Sequence, residues 1–299
     1  MDFDLKSLEL FVRVAQLGAI GKAGTELGLS RTAASQRIQD LEAAVGTQLL
    51  HRTTRSVSLS GDGEAFLVHA KRILQDIEDA LSDLQSDPQA ISGTLRVAGS
   101  ASFGRKYLAP FAAEFLDLYP KLSLHLHLSD APFDIVDNGF DLAIRLGDLA
   151  PSTLKARRIG ESPRIAVAAP AYLERYGMPQ VPADLKQHNC LIRSDLRNWV
   201  TRGPDGRIEE VKVSGNFATN LAEAVTEAAL TGVGIARKCR WEIDEHLASG
   251  ALVTVLPDHT VVPEWGIHAV RSPSRTPPAR VRAFTDYIAR KFQQIPALN

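Results

Sequence analysis

The sequence predicts two unlike parts: an all-helical N-terminal domain with a two-stranded appendage and a long following helix, then an α/β domain built in two halves. Three observations predict this. Apolar residues recur at three- and four-residue spacing over residues 5–45 and again over 64–86, the period of amphipathic helices. From residue 94 onward, short apolar runs alternate with helical stretches. Between these regions SDPQAISG, with Pro88 and Gly93, breaks both patterns, so the boundary falls there.

Bulk properties narrow the function classes only partly. A chain of 299 residues exceeds one ordinary domain, and a hydrophobic content of 44% can fill a sizeable core. No apolar run approaches the ~18–20 residues needed to cross a bilayer. The opening MDFDLKSLELF carries acid early, unlike the basic-then-apolar layout of a secretory signal. Cys190 and Cys239 lie far apart without paired spacing, which suits a reducing cytoplasm and argues against a disulfide framework or a cysteine zinc site. The net charge of −1 says nothing of nucleic acid, but four arginines fall within residues 31–55 against only Asp40 and Glu42.

Taken in order, Leu5, Leu8, Phe11, Val12 and Ala15 mark a first helix. Ala23 and Leu27 suit a short second one, ended near Gly28. Ser30 is placed to cap a third, SRTAASQRIQDLEAAVG, which Gly46 can terminate. On it Ala34, Ile38, Leu41 and Val45 would be buried, leaving Thr32, Gln36 and Gln39 opposite, with Arg31 and Ser35 beside them. Such a front can donate to phosphates and read base edges in a major groove. The same pattern also fits an interaction module whose polar face is only solvated. TQLLHRTTRSVSLSGDG then reads as a two-stranded wing with Arg52 and Arg55 at or near its tip, where arginine could enter a minor groove.

The run from Leu8 to Phe66 resembles the DNA reader of the LysR-type transcriptional regulators almost end to end. The landmarks are FxxVAxxG, the small-residue second helix, Ser30, Ser35, Ile38, LEAAVGTQLLHR and RxVxLxxxG. Ala19, Gly24 and Leu50 depart from the usual serine, alanine and phenylalanine; glycine in a helix interior costs ~1 kcal/mol against alanine. The resemblance implies a winged helix-turn-helix over 1–63. It implies DNA contact for Arg31, Thr32, Ser35, Gln36 and Arg37 on the third helix, and for Arg52, Thr53 and Arg55 in the wing. Arg37 leans away from the helix front.

From 64 to 87 a linker helix is expected. Phe66, Ala70, Ile73, Ile77, Ala80 and Leu84 follow a coiled-coil seam, with Leu67, Leu74 and Leu81 as a second stripe. One chain could use that width on its own domain, but a symmetric DNA site wants two readers, which favours pairing with a second copy. LysR-type regulators are similar here, so the resemblance implies antiparallel pairing, a homotetramer built as a dimer of dimers, and RNA polymerase as a further contact.

Beyond the break, TLRVAG, LSLHLHL, DLAIRLG and RIAVAAP read as buried strands between helices such as GRKYLAPFAAEFLDLY and APFDIVDNG. EEVKVSG, a helix over LAEAVTEAAL, a strand GVGIA and a last helix near PARVRAFTDYIARKF follow, giving α/β layering with largely parallel sheets. This part resembles the LysR effector domain, itself similar to periplasmic binding proteins, with DIVDNGFDLAIRLGDL, AAPAYLERYGMP and TGVGIA as landmarks. One subdomain is expected over 93–163 and 267–299, the other over 164–266, with a ligand cleft between them.

Ser100, Ser102 and Phe103 follow the first strand, where hydroxyls and free N–H groups suit an anion. Arg145 ends the strand DLAIR, and Asn220 is placed to cap a helix on the far side. The resemblance implies effector binding for these five and, more speculatively, for Arg237. A small carboxylate is the expected effector, although Ser and Asn at helix starts are also ordinary caps, and Arg145 could instead pair with Asp130 or Asp148. His125 and His127 share a strand face, but alternation sends Leu122, Leu124, Leu126 and Leu128 inward and the histidines outward, so no metal site is expected. No cofactor is expected either. GxSxG, P-loop, GxGxxG and HExxH patterns are all missing, and an enzyme or a pure solute-binding protein remains the rival reading that a DNA-binding assay separates.

Overall fold

The structure, a computed structural model, describes residues 3–52, 57–83, 91–131, 135, 139–194, 196–273 and 277–298. The chain divides into two compact units, Met1–Gly93 and Thr94–Asn299.

In the first unit α1 (Leu5–Leu17) begins at Asp4, whose carboxylate accepts the Ser7 N–H, and ends in left-handed Gly18. It buries Leu8, Leu10, Phe11 and Val14, each contributing roughly 1.5–3 kcal/mol when fully removed from water. Helix α2 (Ile20–Glu26) and α3 (Arg31–Val45) follow. Gly24 lies where they cross: a Cβ there would sit 2.7 Å from Ala34 Cβ. Its glycine therefore admits a close helix approach, which the helix-propensity argument alone did not foresee. Strands β1 (Leu50–Arg52) and β2 (Val57–Leu59) pair antiparallel, Leu50 opposite Leu59 and Arg52 opposite Val57, as a two-stranded wing.

Helix α4 runs Gly61–Asp83, starting three residues before the expected linker. Ser60 precedes it, and its hydroxyl accepts the Gly63 N–H at 2.9 Å. Gly63 is required by packing, since a Cβ would meet the Leu49 carbonyl oxygen at 2.0 Å. The expected seam is divided. Phe66, Leu67, Ala70 and Leu74 pack into the core of their own unit, because the helix lies across α1. Ile73, Ala80 and Leu81 stay exposed. Leu84 lies outside the described residues.

The second unit contains β3 (Gly93–Gly99), α5 (Ala101–Phe103), a π-helical turn at Gly104–Leu108, α6 (Ala109–Leu118), β4 (Leu122–Leu128), β5 (Leu142–Gly147) and β6 (Lys155–Ser162). Next come β7 (Arg164–Ala168), α7 (Pro170–Tyr176), β8 (Ile192–Arg193), β9 (Asn198–Arg202), β10 (Ile208–Lys212), β11 (Ala218–Thr219) and α8 (Ala222–Leu230). Last are β12 (Ala236–Cys239), α9 (Arg240–Ala248), β13 (Val253–Val255), β14 (Thr260–Val261), β15 (Trp265–Arg271) and α10 (Ala279–Phe292). A five-stranded sheet runs β4-β3-β5-β15-β6, while β7, β12 and β13 form another. The chain thus leaves the first sheet after Ser162 and returns to it at Trp265.

Two expectations need correction. The sheets are mixed: β3–β5 and β8–β11 are parallel, but β15 runs antiparallel to β5 and β6, and β12 and β13 antiparallel to β7. Apolar runs mark burial, not direction, which is why the sequence misled. The strand expected at GVGIA begins only at Ala236 and runs to Cys239, while Ile235 forms an isolated parallel bridge with Cys190 and Gly234 permits that approach, since a Cβ there would lie 2.2 Å from the Asn189 carbonyl oxygen. The helix expected at APFDIVDNG falls mostly outside the described residues. His125 and His127 are exposed, as alternation predicted. Among the described residues no helix is long and apolar enough to cross a membrane.

Candidate functional site

The first site is the front of α3. Ser30 Oγ accepts the Ala33 N–H at 3.2 Å, and left-handed Gly46 closes the far end. Ala34, Ile38 and Leu41 anchor the back of the helix. Arg31, Thr32, Gln36 and Gln39 are exposed, and Ser35 is half-buried among them. Gln36 donates to Asp40 at 2.9 Å, which holds its amide along the helix surface. Arg37 is engaged differently. Its guanidinium reaches both oxygens of Asp4 at 3.2 Å, tying α3 to the start of α1. Its geometry is that of a brace. In the wing, Arg52 closes the ladder opposite Val57; Thr53 and Arg55 lie outside the described residues.

The Asp4 carboxyl is held below its ordinary value, chiefly by the Ser7 hydroxyl, with the Ser7 N–H and Arg37 adding to it against the opposing effect of burial. The Asp4 carboxylate therefore stays ionised across the neutral range.

The second site is a cavity of about 470 Å³ in the second unit, within the range of small-molecule sites. Its walls gather strand ends far apart in sequence: Ser100 and Ser102 after β3, Asp130 after β4, Arg145 on β5 with Asp148 beyond it, Arg193 on β8, and Cys239, Trp241, Glu242 and Trp265. Two carboxylates already have partners. Glu242 meets Lys238 Nζ at 3.0 Å and accepts the Cys239 N–H; Lys238 is 3% exposed and also donates to the Ala222 carbonyl at 2.7 Å. Asp130 accepts the Ala101 N–H at 3.1 Å. Trp241 donates its indole N–H to Ser162 at 3.1 Å, so this wall is fixed to the segment joining the sheets. Burial pushes the Cys239 thiol up to about 12, which keeps it protonated. At the edge, Arg105 reaches Glu223 and Lys106 reaches Asp244, both at 2.7 Å, tying the π-helical turn to α8 and α9.

Of the six expected effector residues, the cavity brings together Ser100, Ser102 and Arg145. The other three do not line it. Phe103 is fully buried among Tyr107, Trp241 and Phe292, with ring centroids 5.0–5.5 Å away; the helix turns its large side chain inward, away from the cavity. Asn220 is exposed and does not cap α8; Leu221 holds that position, and no side chain caps it. Arg237 points elsewhere, its guanidinium over the Trp199 ring. Arg193, Glu242 and the two tryptophans were missed. Arg193 ends β8, so the strand-end rule applied to DLAIR could have found it, although Arg145 itself lies inside β5, opposite His268.

Known proteins agree with this arrangement. Residues 5–64 match the family described as "Bacterial regulatory helix-turn-helix protein, lysR family", and residues 88–293 match "LysR substrate binding domain". The chain is 33% identical over 295 residues to the HTH-type transcriptional regulator DmlR of Escherichia coli (strain K12), covering 97% of this chain and 95% of that one. It is 34% identical over 257 residues to the HTH-type transcriptional activator TtdR of the same strain, covering 85% and 83%. Among solved structures, CrgA, a LysR-type transcriptional regulator from Neisseria meningitidis, superposes with a TM-score of 0.61 at 29% identity, covering 97% and 99%. The full-length Vibrio cholerae virulence activator AphB gives 0.57 at 26%, covering 96% and 98%.

Proposed function

The chain belongs to the LysR family of transcriptional regulators, with a helix-turn-helix DNA-binding domain and an effector-binding domain, and from that premise we propose how its residues divide the work. Residues 1–63 read DNA and 64–87 link. The effector domain consists of one subdomain over 93–163 and 267–299 and another over 164–266. Arg31, Thr32, Ser35 and Gln36 meet the duplex from α3. Arg52, Thr53 and Arg55 meet it from the wing, while Arg37 acts through its tie to Asp4. The exposed second half of α4, at Ile73 and Leu81, pairs with a second copy, and two such dimers form the tetramer. The protein works in the cytoplasm, and RNA polymerase is the partner through which it acts on transcription.

The effector is a small carboxylate. One observation carries this: Arg145 and Arg193 line the same cavity as Ser100 and Ser102, while Glu242 is neutralised by Lys238 and Asp130 is occupied by a backbone N–H. Asp148 opposes the arginines, which favours a ligand that also presents a donor, such as a hydroxy acid. Calorimetry of the whole protein against a panel of hydroxy and simple carboxylic acids tests the reading. Saturable heat with an acid, absent with its amide, is expected. A neutral ligand bound equally well by the Arg145→Ala and Ser100→Ala variants contradicts it. A gel shift with the DNA beside the protein's own coding region tests the reading domain separately.

A further inference from the structure

Arg164 and Arg237 stand outside the effector cavity and outside every ion pair among the described residues. Strands β7 and β12 pair antiparallel with Arg237 opposite Ala166 and Cys239 opposite Arg164. Alternate residues share a face of a strand, so both guanidiniums rise from the same side of this sheet. Each lies against a ring: Arg164 is 4.1 Å from the centroid of Trp265, and Arg237 is 5.3 Å from that of Trp199. Their hydrogen-bond acceptors are backbone carbonyls, Pro263 at 2.7 Å and Asn198 at 3.3 Å. Among the described residues no carboxylate answers them.

Both residues are half-buried, and Arg164 stands diagonally across the strand pair from Arg237. Burial, and after it Arg164, pushes Arg237 down to about 10. Arg164 Nε is buried with no hydrogen-bond partner. So is the hydroxyl of Thr201, which stands two residues from Trp199 and shares its face of β9. Buried donors without acceptors are costly, and two like charges in that setting are costlier. An anion with two or more acceptor oxygens would relieve both costs through charge-assisted bonds.

We propose that Arg164, Arg237 and Thr201 form a second anion site, distinct from the effector cavity, that takes a small oxyanion of the phosphate or sulfate kind. Trp265 belongs to both places, since it lines the cavity and carries Arg164 on its ring. Occupation of the second site therefore bears on the cavity wall.

The three tryptophans of the chain are Trp199, Trp241 and Trp265, so intrinsic fluorescence of the full-length protein reports the site. The titration uses inorganic phosphate, sulfate and acetate at constant ionic strength held with chloride. Saturable responses to phosphate or sulfate are expected, weakened at least about tenfold by Arg237→Leu and unchanged by Arg145→Ala. Arg237→Leu should also raise the thermal midpoint in chloride alone, by removing one of two repelling charges, and abolish the further rise that phosphate gives wild type. Phosphate and sulfate both inert would overturn the assignment, whether or not acetate responds, since on the carboxylate reading the effector cavity itself takes acetate beside Trp241 and Trp265. So would responses no different from chloride, loss of the response in Arg145→Ala, or a response kept in Arg237→Leu. A fall in the chloride midpoint would make Arg237 structural. Should Arg237→Leu not fold, Arg164→Met carries the same expectations. Failure here leaves the carboxylate reading of the cavity standing, because that reading depends on Arg145 and Arg193.

Discussion

The two halves of this regulator place their sites in opposite ways. In the reading unit most of the functional side chains lie on one helix, opposite the buried Ala34, Ile38 and Leu41, and the rest on the wing next in sequence. In the sensing unit they come from strand ends between residues 100 and 265, brought together only by the fold. A helix front follows from local periodicity, whereas a cavity depends on strand order and direction.

This contrast can be broken most severely through the reading core. Phe11 is fully buried against Phe66, ring centroids 5.5 Å apart. Phe11→Ala should cost about 3–5 kcal/mol and abolish DNA binding, with calorimetric effector binding retained. Loss of both would show that the units do not fold separately. Next, Arg145→Ala should weaken carboxylate binding by about 1.5–3 kcal/mol, roughly tenfold to a hundredfold, with DNA affinity unchanged in the absence of effector. Equal acid affinity in the variant would remove Arg145 from the site.

Gly24→Ala gives a smaller effect whose sign is informative. Helix propensity alone predicts a gain of ~1 kcal/mol. The 2.7 Å approach to Ala34 Cβ predicts overpacking of about 1–3 kcal/mol. A net loss on urea unfolding supports the close crossing, and a gain excludes it. The smallest effect concerns Asp4. Its folded carboxyl is held below the ordinary 3.8, so its contribution is present above that value and lost as the pH falls through the folded value. Asp4→Asn should flatten the acid limb of thermal stability, while an unchanged limb would mean that the tie to Ser7 and Arg37 contributes nothing.

What the sequence revealed follows the same division. Ser30 and Gly46 bracket α3 because capping is a matter of a few neighbouring residues, and the wing was legible because alternation and a short loop are local too. Arg145 was legible as the one cation in an apolar run, although it lies inside β5 and not at its end, whereas Arg193 and Trp265 reach the same cavity only once β8 and β15 are in place. Where Phe103 would sit was not legible, because adjacency to Ser102 says nothing about which way a helix turns its side chains; here it faces Trp241 and Phe292. Lys238 is buried on β12, and only the fold supplies its partners, the Glu242 carboxylate in the first turn of α9 and the Ala222 carbonyl.

The claim on which the account rests is that the exposed edge of α3 reads bases. Fluorescence anisotropy of the full-length protein on duplex from its own upstream region, against a scrambled duplex and across a salt series, tests it most directly. The account predicts preference for the native duplex, reduced by about 1–3 kcal/mol in Gln36→Ala, and a salt slope lowered by about one ion in Arg31→Ala. Equal affinity for both duplexes at every salt concentration, unaltered by either substitution, would contradict it.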